Sequence, residues 1–121
     1  MATTQQYQVL VWNLRVIVTN DDGGWFAQGL EIDYAAQGES LEEVKKNFEH
    51  GLGATIQAHL TIHGNLDQFF KPAPQEVWQE LSKGVANKTL TLQHISTHEV
   101  ELPPPFGRIE YSKVEGEGVL V

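Results

Sequence analysis

Cysteine is absent from this 121-residue chain. That excludes a disulfide framework, thiolate chemistry and any cysteine-ligated metal. Basic residues are scarce too, 8 Lys and Arg against 16 Asp and Glu, for a formal charge of −8. Binding nucleic acid through phosphate neutralisation draws on clustered Lys and Arg, which this composition does not supply. No apolar run approaches the roughly 20 residues of a membrane-spanning helix. The first residues, Met1-Ala2-Thr3-Thr4-Gln5-Gln6, lack the charged and apolar regions of a signal peptide, so a cytoplasmic location is expected. Gly-x-Ser-x-Gly, P-loop and Gly-x-Gly-x-x-Gly patterns are all missing, and neither an enzyme nor a cofactor is expected. Apolar residues make up 40% of the chain, enough for one domain with a core that needs no covalent staple.

What is present is organised around residues 22–60. Asp22-Gly23 is a tight-turn signal, because glycine takes positive φ without steric cost. Apolar runs flank it, and the pattern predicts a hairpin of 14–19 with 25–33. The first run has both parities apolar from Val9 to Val18, as in a strand covered on both sides. In the second, Phe26, Leu30 and Ile32 share a parity and are expected on one face, with Gly29 marking a bulge or a close backbone approach. A short third strand is expected over 34–37. Ser40-Leu41-Glu42-Glu43 then fits a capping box. Leu41, Val44, Phe48, Leu52, Ile56 and Leu60 recur at steps of three or four, so a helix is predicted over 41–59 with one apolar stripe. Gly51 and Gly53 inside it imply either a kink or close packing.

The order of these pieces resembles the HicB-like antitoxin family. The matching residues are Asp22, Gly23, Gly24, Trp25, Ala27, Gln37, Gly38, Glu39, Ser40, Leu41, Glu42 and Glu43, within a resemblance spanning about residues 14–60. It implies a partial RNase H-like α+β fold, a small antiparallel sheet with one long helix on a face. It also implies a partner, a small basic HicA-type toxin that cleaves mRNA. In this sense residues 1–62 form a HicB-like core and 63–121 an extension of the same domain. Family members that bind operator DNA do so through a C-terminal DNA-binding segment; none is recognisable here, and direct DNA binding is not expected. Trp25, in the family position, is expected to be structural.

In the extension, residues 61–71 read as a connection, with Gly64-Asn65 a turn or a helix exit. A second helix is predicted over 75–83, with Pro74 at its start and Gly84 as its stop. Residues 89–102 read as a strand whose phase a bulge near Ile95 would reset. Pro103-Pro104-Pro105 reads as an extended link, 109–114 as a final strand and 115–118 as a loose tail. Exposed sheet edges and surplus aromatics suggest a homodimer. Phe69, Phe70 and Trp78 are the candidate partner or oligomer contacts; like Trp12 they are aromatic and equally suited to a core.

Alternative chemistry is thinly represented. His59 and His63 have the i,i+4 spacing of a zinc pair, but no third ligand has a place and the helix is expected to end between them. His94 and His98 could share a strand side without any carboxylate predicted nearby. No metal is therefore expected at either pair. An RNase H-like nuclease would need several carboxylates on adjacent strands around two metal ions. Glu31 and Asp33 share a parity, and Asp21 and Asp22 sit at the turn; a solvated acidic edge is the simpler reading. A homo-oligomeric scaffold or small-molecule-binding module is the remaining alternative. Residues 1–70 hold nine acidic side chains against three basic, which suits a protein that covers a basic partner.

Overall fold

The alternation of the first apolar run becomes a strand with two buried faces. In this computed structural model, which describes residues 12–66, 69–101 and 106–116 (for Trp12, the backbone only), β1 spans Trp12–Asp21. Leu14, Val16 and Val18 are fully buried on one side, while Ile17 and Thr19 are buried on the other. Asp22 and Gly23 turn the chain with φ of 50° and 80°, and β2, Gly24–Gly29, returns antiparallel to β1. β3, Ala35–Gly38, pairs antiparallel with β2, one residue later than predicted.

Gly29 ends β2 because the chain folds back over it. A Cβ there would lie 2.5 Å from the Ile32 carbonyl oxygen. This break corrects the expectation that Leu30 and Ile32 share a face. Leu30 packs with Ile17 on one side of the sheet, and Ile32 packs with Val16 on the other.

Helix α1, Leu41–His63, starts as the sequence implies, with the amide of Glu43 donating to Ser40 Oγ at 3.1 Å. It runs one turn beyond the expected end, to Gly64, which caps it at φ 75° and donates its amide to the Leu60 carbonyl. Val44, Phe48, Leu52 and Ile56 form the buried stripe, each side chain contributing about 1.5–3 kcal/mol of apolar burial. Of its two glycines, Gly51 sits against Tyr34 and Gly53 faces open space.

Helix α2, Gln75–Ala86, is longer than predicted. Gly84 lies inside it rather than after it, and is buried where the helix crosses the side chain of Leu90. Asn87 takes the terminal position. β4, Leu90–Glu99, carries a register shift between His94 and Ser96, the expected bulge. β5, Phe106–Gly116, takes in Glu115 and Gly116, which were expected in a tail. The early part of the first run, the proline link and the residues after Gly116 lie outside the described residues.

The strands form one five-stranded sheet in the order β3-β2-β1-β5-β4. It is mixed rather than antiparallel throughout, because β5 lies parallel to β1 after the crossover through both helices. The fold is α+β. α1 covers one face over Leu14, Val16, Val18, Ala27, Ile109 and Tyr111; Leu81 of α2 joins Ile17, Leu30, Leu90 and Val114 on the other.

Candidate functional site

The most concentrated polar chemistry among the described residues lies where α1 crosses the β4–β5 hairpin. Position 49 on α1 is half-buried, the residue directly after Phe48, which packs the helix on the sheet. From there one oxygen of the Glu49 carboxylate accepts from Tyr111 Oη at 2.7 Å and from His98 Nε2 at 2.8 Å. An ionised carboxylate only accepts, so His98 carries a proton on Nε2. The His98 ring stacks on Tyr111 with centroids 5.7 Å apart. Lys45, one turn earlier, donates to Ser96 Oγ at 2.9 Å and lies over the Tyr111 ring at 5.1 Å. The β4 bulge turns Ser96 and His98 toward the helix, pairing them with Tyr111 and Ile109 of β5.

Tyr111 is fully buried. Burial first, then the hydrogen bond to Glu49 and the charge of that carboxylate, push its hydroxyl well above the ordinary phenol range. The folded state therefore keeps this proton while the unfolded chain releases it near pH 10. Wild-type stability should fall as pH rises beyond about 10, with a slope from this group approaching about 1.4 kcal/mol per pH unit. Tyr111→Phe should lower stability at neutral pH by about 1 kcal/mol, the worth of one hydrogen bond, and flatten that alkaline slope. Urea unfolding of both proteins from pH 8 to 11 checks this; parallel curves would contradict it.

Glu49 also lines an open cleft of about 310 Å³ with Leu52, Gly53, Glu99, Val100, Glu101 and Ile109. Three of these residues, Leu52, Val100 and Ile109, are apolar and three are glutamates. No basic side chain lines it among the described residues. A cationic side chain with an apolar stem fits this mix of apolar and acidic residues.

Residues singled out in the sequence fall elsewhere. Phe69 and Phe70 pack edge-to-face at 5.3 Å, Phe69 beside His59 at 5.0 Å and Phe70 beside Phe106 at 5.9 Å. Trp78 lies on the opposite face of the sheet under the Arg15 guanidinium, 5.1 Å from its ring centroid. Trp25 is half-buried with Lys113 over its ring at 5.5 Å. Asp22, Gly23 and Gly24 form the β1–β2 turn, and Gly38, Ser40 and Glu43 the β3–α1 junction.

Glu31 and Asp33 lie in the bend after β2 rather than on a strand face. Glu31 holds Arg15 at 2.6 Å, and Asp33 accepts from Gln28 at 3.0 Å. Helix α1 does not end between His59 and His63; both lie on it with rings 4.4 Å apart. Among the described residues no group of three or more His, Asp or Glu side chains could hold a metal ion, and no helix is long and apolar enough to cross a membrane. His98 does have a carboxylate beside it. The signal for that contact was absent locally, because its partners Glu49 and Tyr111 are 62 positions apart and meet only once β5 lies beside β1. Comparison with protein-family models, with curated proteins and with solved structures found no match.

Proposed function

We propose that this chain is a HicB-like protein-binding module, a non-catalytic antitoxin or a relative of one. It would neutralise a small basic HicA-type, mRNA-cleaving toxin by laying acidic surface over the toxin's RNA-binding site, and it would act as a cytoplasmic homodimer. The observation that supports a basic partner is the cleft beside α1, lined by Glu49, Glu99 and Glu101 together with Leu52, Val100 and Ile109, on a chain of net charge −8. Such a cleft accepts an Arg or Lys from a partner, and the surrounding charge speeds and orients the encounter.

The test is capture of the tagged protein from its native lysate at low and high salt, with mass spectrometry of what elutes. A stoichiometric small basic protein released by salt is the expected result. Glu99→Lys with Glu101→Lys, both at exposed positions, should then weaken capture at least tenfold. Recovery of the tagged protein alone, or a partner indifferent to the charge reversal, would count against the reading.

A further inference from the structure

The two edges of the sheet are built differently. β3 is four residues long, while β4 presents ten. Edge strands of monomeric proteins are guarded by shortness, by Lys or Pro, or by bulges. β4 reads Leu-Thr-Leu-Gln-His-Ile-Ser-Thr-His-Glu, with neither Lys nor Pro. Its one guard is the bulge between His94 and Ser96, which leaves Leu90–His94 regular. Among the described residues nothing pairs with the outer side of β4.

That regular run has an exposed apolar centre. Leu90 is buried against α2, but Leu92, on the same face two residues on, is 42% exposed. Val85 of α2, which follows the glycine that touches Leu90, is 44% exposed. The charge is unusual for this chain as well. From Leu81 to His98 there is no acidic residue, although the whole carries −8.

We infer that β4 pairs antiparallel with β4 of a second copy of this chain, about a two-fold axis at Leu92, joining two sheets into one. The register follows from the free run. With the axis at Leu92, Leu90 faces the second copy's His94, Thr91 faces its Gln93, and Leu92 faces its Leu92. All five residues before the bulge pair, a common strand length. Directly opposed side chains lie about 4.5–5.5 Å apart, so the two Leu92 side chains cover each other. No like-charged pair is opposed, and both acidic bodies approach through their acid-free stretch. A two-fold contact of this kind closes on itself and does not propagate.

The inference rests on the homodimer proposed above and not on the identity of any basic partner. Sedimentation of the full chain from about 1 to 500 µM should show a monomer–dimer equilibrium. Leu92→Lys should weaken it at least 100-fold with an unchanged far-UV spectrum, while Ala35→Lys, on the other edge, should leave it intact. Because the chain has no cysteine, Leu92→Cys gives a second readout that does not depend on charge. It should yield a disulfide-linked dimer on mild oxidation faster than Ile62→Cys, at a 74% exposed site. A wild-type monomer throughout would overturn both the dimer and the edge. A dimer that survives Leu92→Lys, is lost in Ala35→Lys, or cross-links no faster through position 92 would overturn the edge alone. Neither result bears on the capture experiment, which reads the toxin partner separately.

Discussion

Phe48→Ala should cost about 3–5 kcal/mol, the usual loss for a buried phenylalanine whose cavity cannot collapse. Phe48 is fully buried at the middle of the α1 stripe. Its ring meets Tyr34 edge-on at 5.3 Å and Tyr111 edge-on at 6.4 Å. Its tip also reaches the Gly29 backbone, where a Cβ would be only 3.3 Å from Cζ. The one side chain therefore touches the bend after β2, the helix and β5, so its loss leaves walls that belong to three separately anchored segments. Domains of this kind are stable by about 5–15 kcal/mol, and the substitution removes a large part of that. The midpoint of thermal unfolding should drop by roughly 10–20 °C. Ile62→Ala, on the exposed side of the same helix, should change stability by less than about 0.5 kcal/mol. Similar midpoints for the two variants in a thermal melt would mean that α1 is not held to the sheet by this stripe.

That contrast between Phe48 and Ile62 is the part of the structure most legible in the residues themselves. Helical spacing alone separates Val44, Phe48, Leu52 and Ile56 from the wet side, because burial of one stripe needs no knowledge of what covers it. The Asp22-Gly23 turn, the Ser40 cap and the β4 bulge are similarly local, each set by the backbone freedom or side-chain reach of one or two residues. Errors arose where a residue answers to something distant. Gly84 has the appearance of a helix stop, yet it is a contact that lets α2 lie on Leu90. Leu30 and Ile32 obey strand parity only if the strand continues, and the fold-back over Gly29 ends it. The mixed sheet and the Glu49–Tyr111–His98 cluster depend on the parallel pairing of β1 with β5, whose paired residues lie more than 90 positions apart. Periodicity carries no information about such a crossover. Aromatic residues were ambiguous for a different reason: Phe69, Phe70 and Trp78 suit core and interface equally, and side-chain chemistry alone does not choose.

Gly38→Ala should be a costly single-methyl change at the junction of β3 and α1. The added Cβ would lie 2.6 Å from the Val44 amide nitrogen, 2.9 Å from its Cα and 3.1 Å from the Glu43 carbonyl carbon. All three are backbone atoms of the first turns of α1, so no rotamer change relieves the contact. Either β3 leaves β2 or the start of α1 lifts away. Lifting disturbs the Ser40 cap and the fully buried Val44 together. Overpacking of this kind costs about 1–3 kcal/mol, and loss of a cap adds about 1 kcal/mol. Gly38 is not among the positive-φ glycines, so its requirement is space and not conformation. Gly23 is the converse, at φ 80° with nothing within 4 Å of an added Cβ. Gly23→Asn should therefore be tolerated, because asparagine visits the left-handed region, whereas Gly38→Asn should be at least as damaging as Gly38→Ala. Denaturant midpoints for these variants separate the two roles. If Gly38→Asn were as mild as Gly23→Asn, the glycine of the Gln-Gly-Glu-Ser motif would not be holding β3 against α1. Its place in the resemblance would then need a reason on the surface, in contact with a partner, where substitution would weaken capture while leaving the midpoint unchanged.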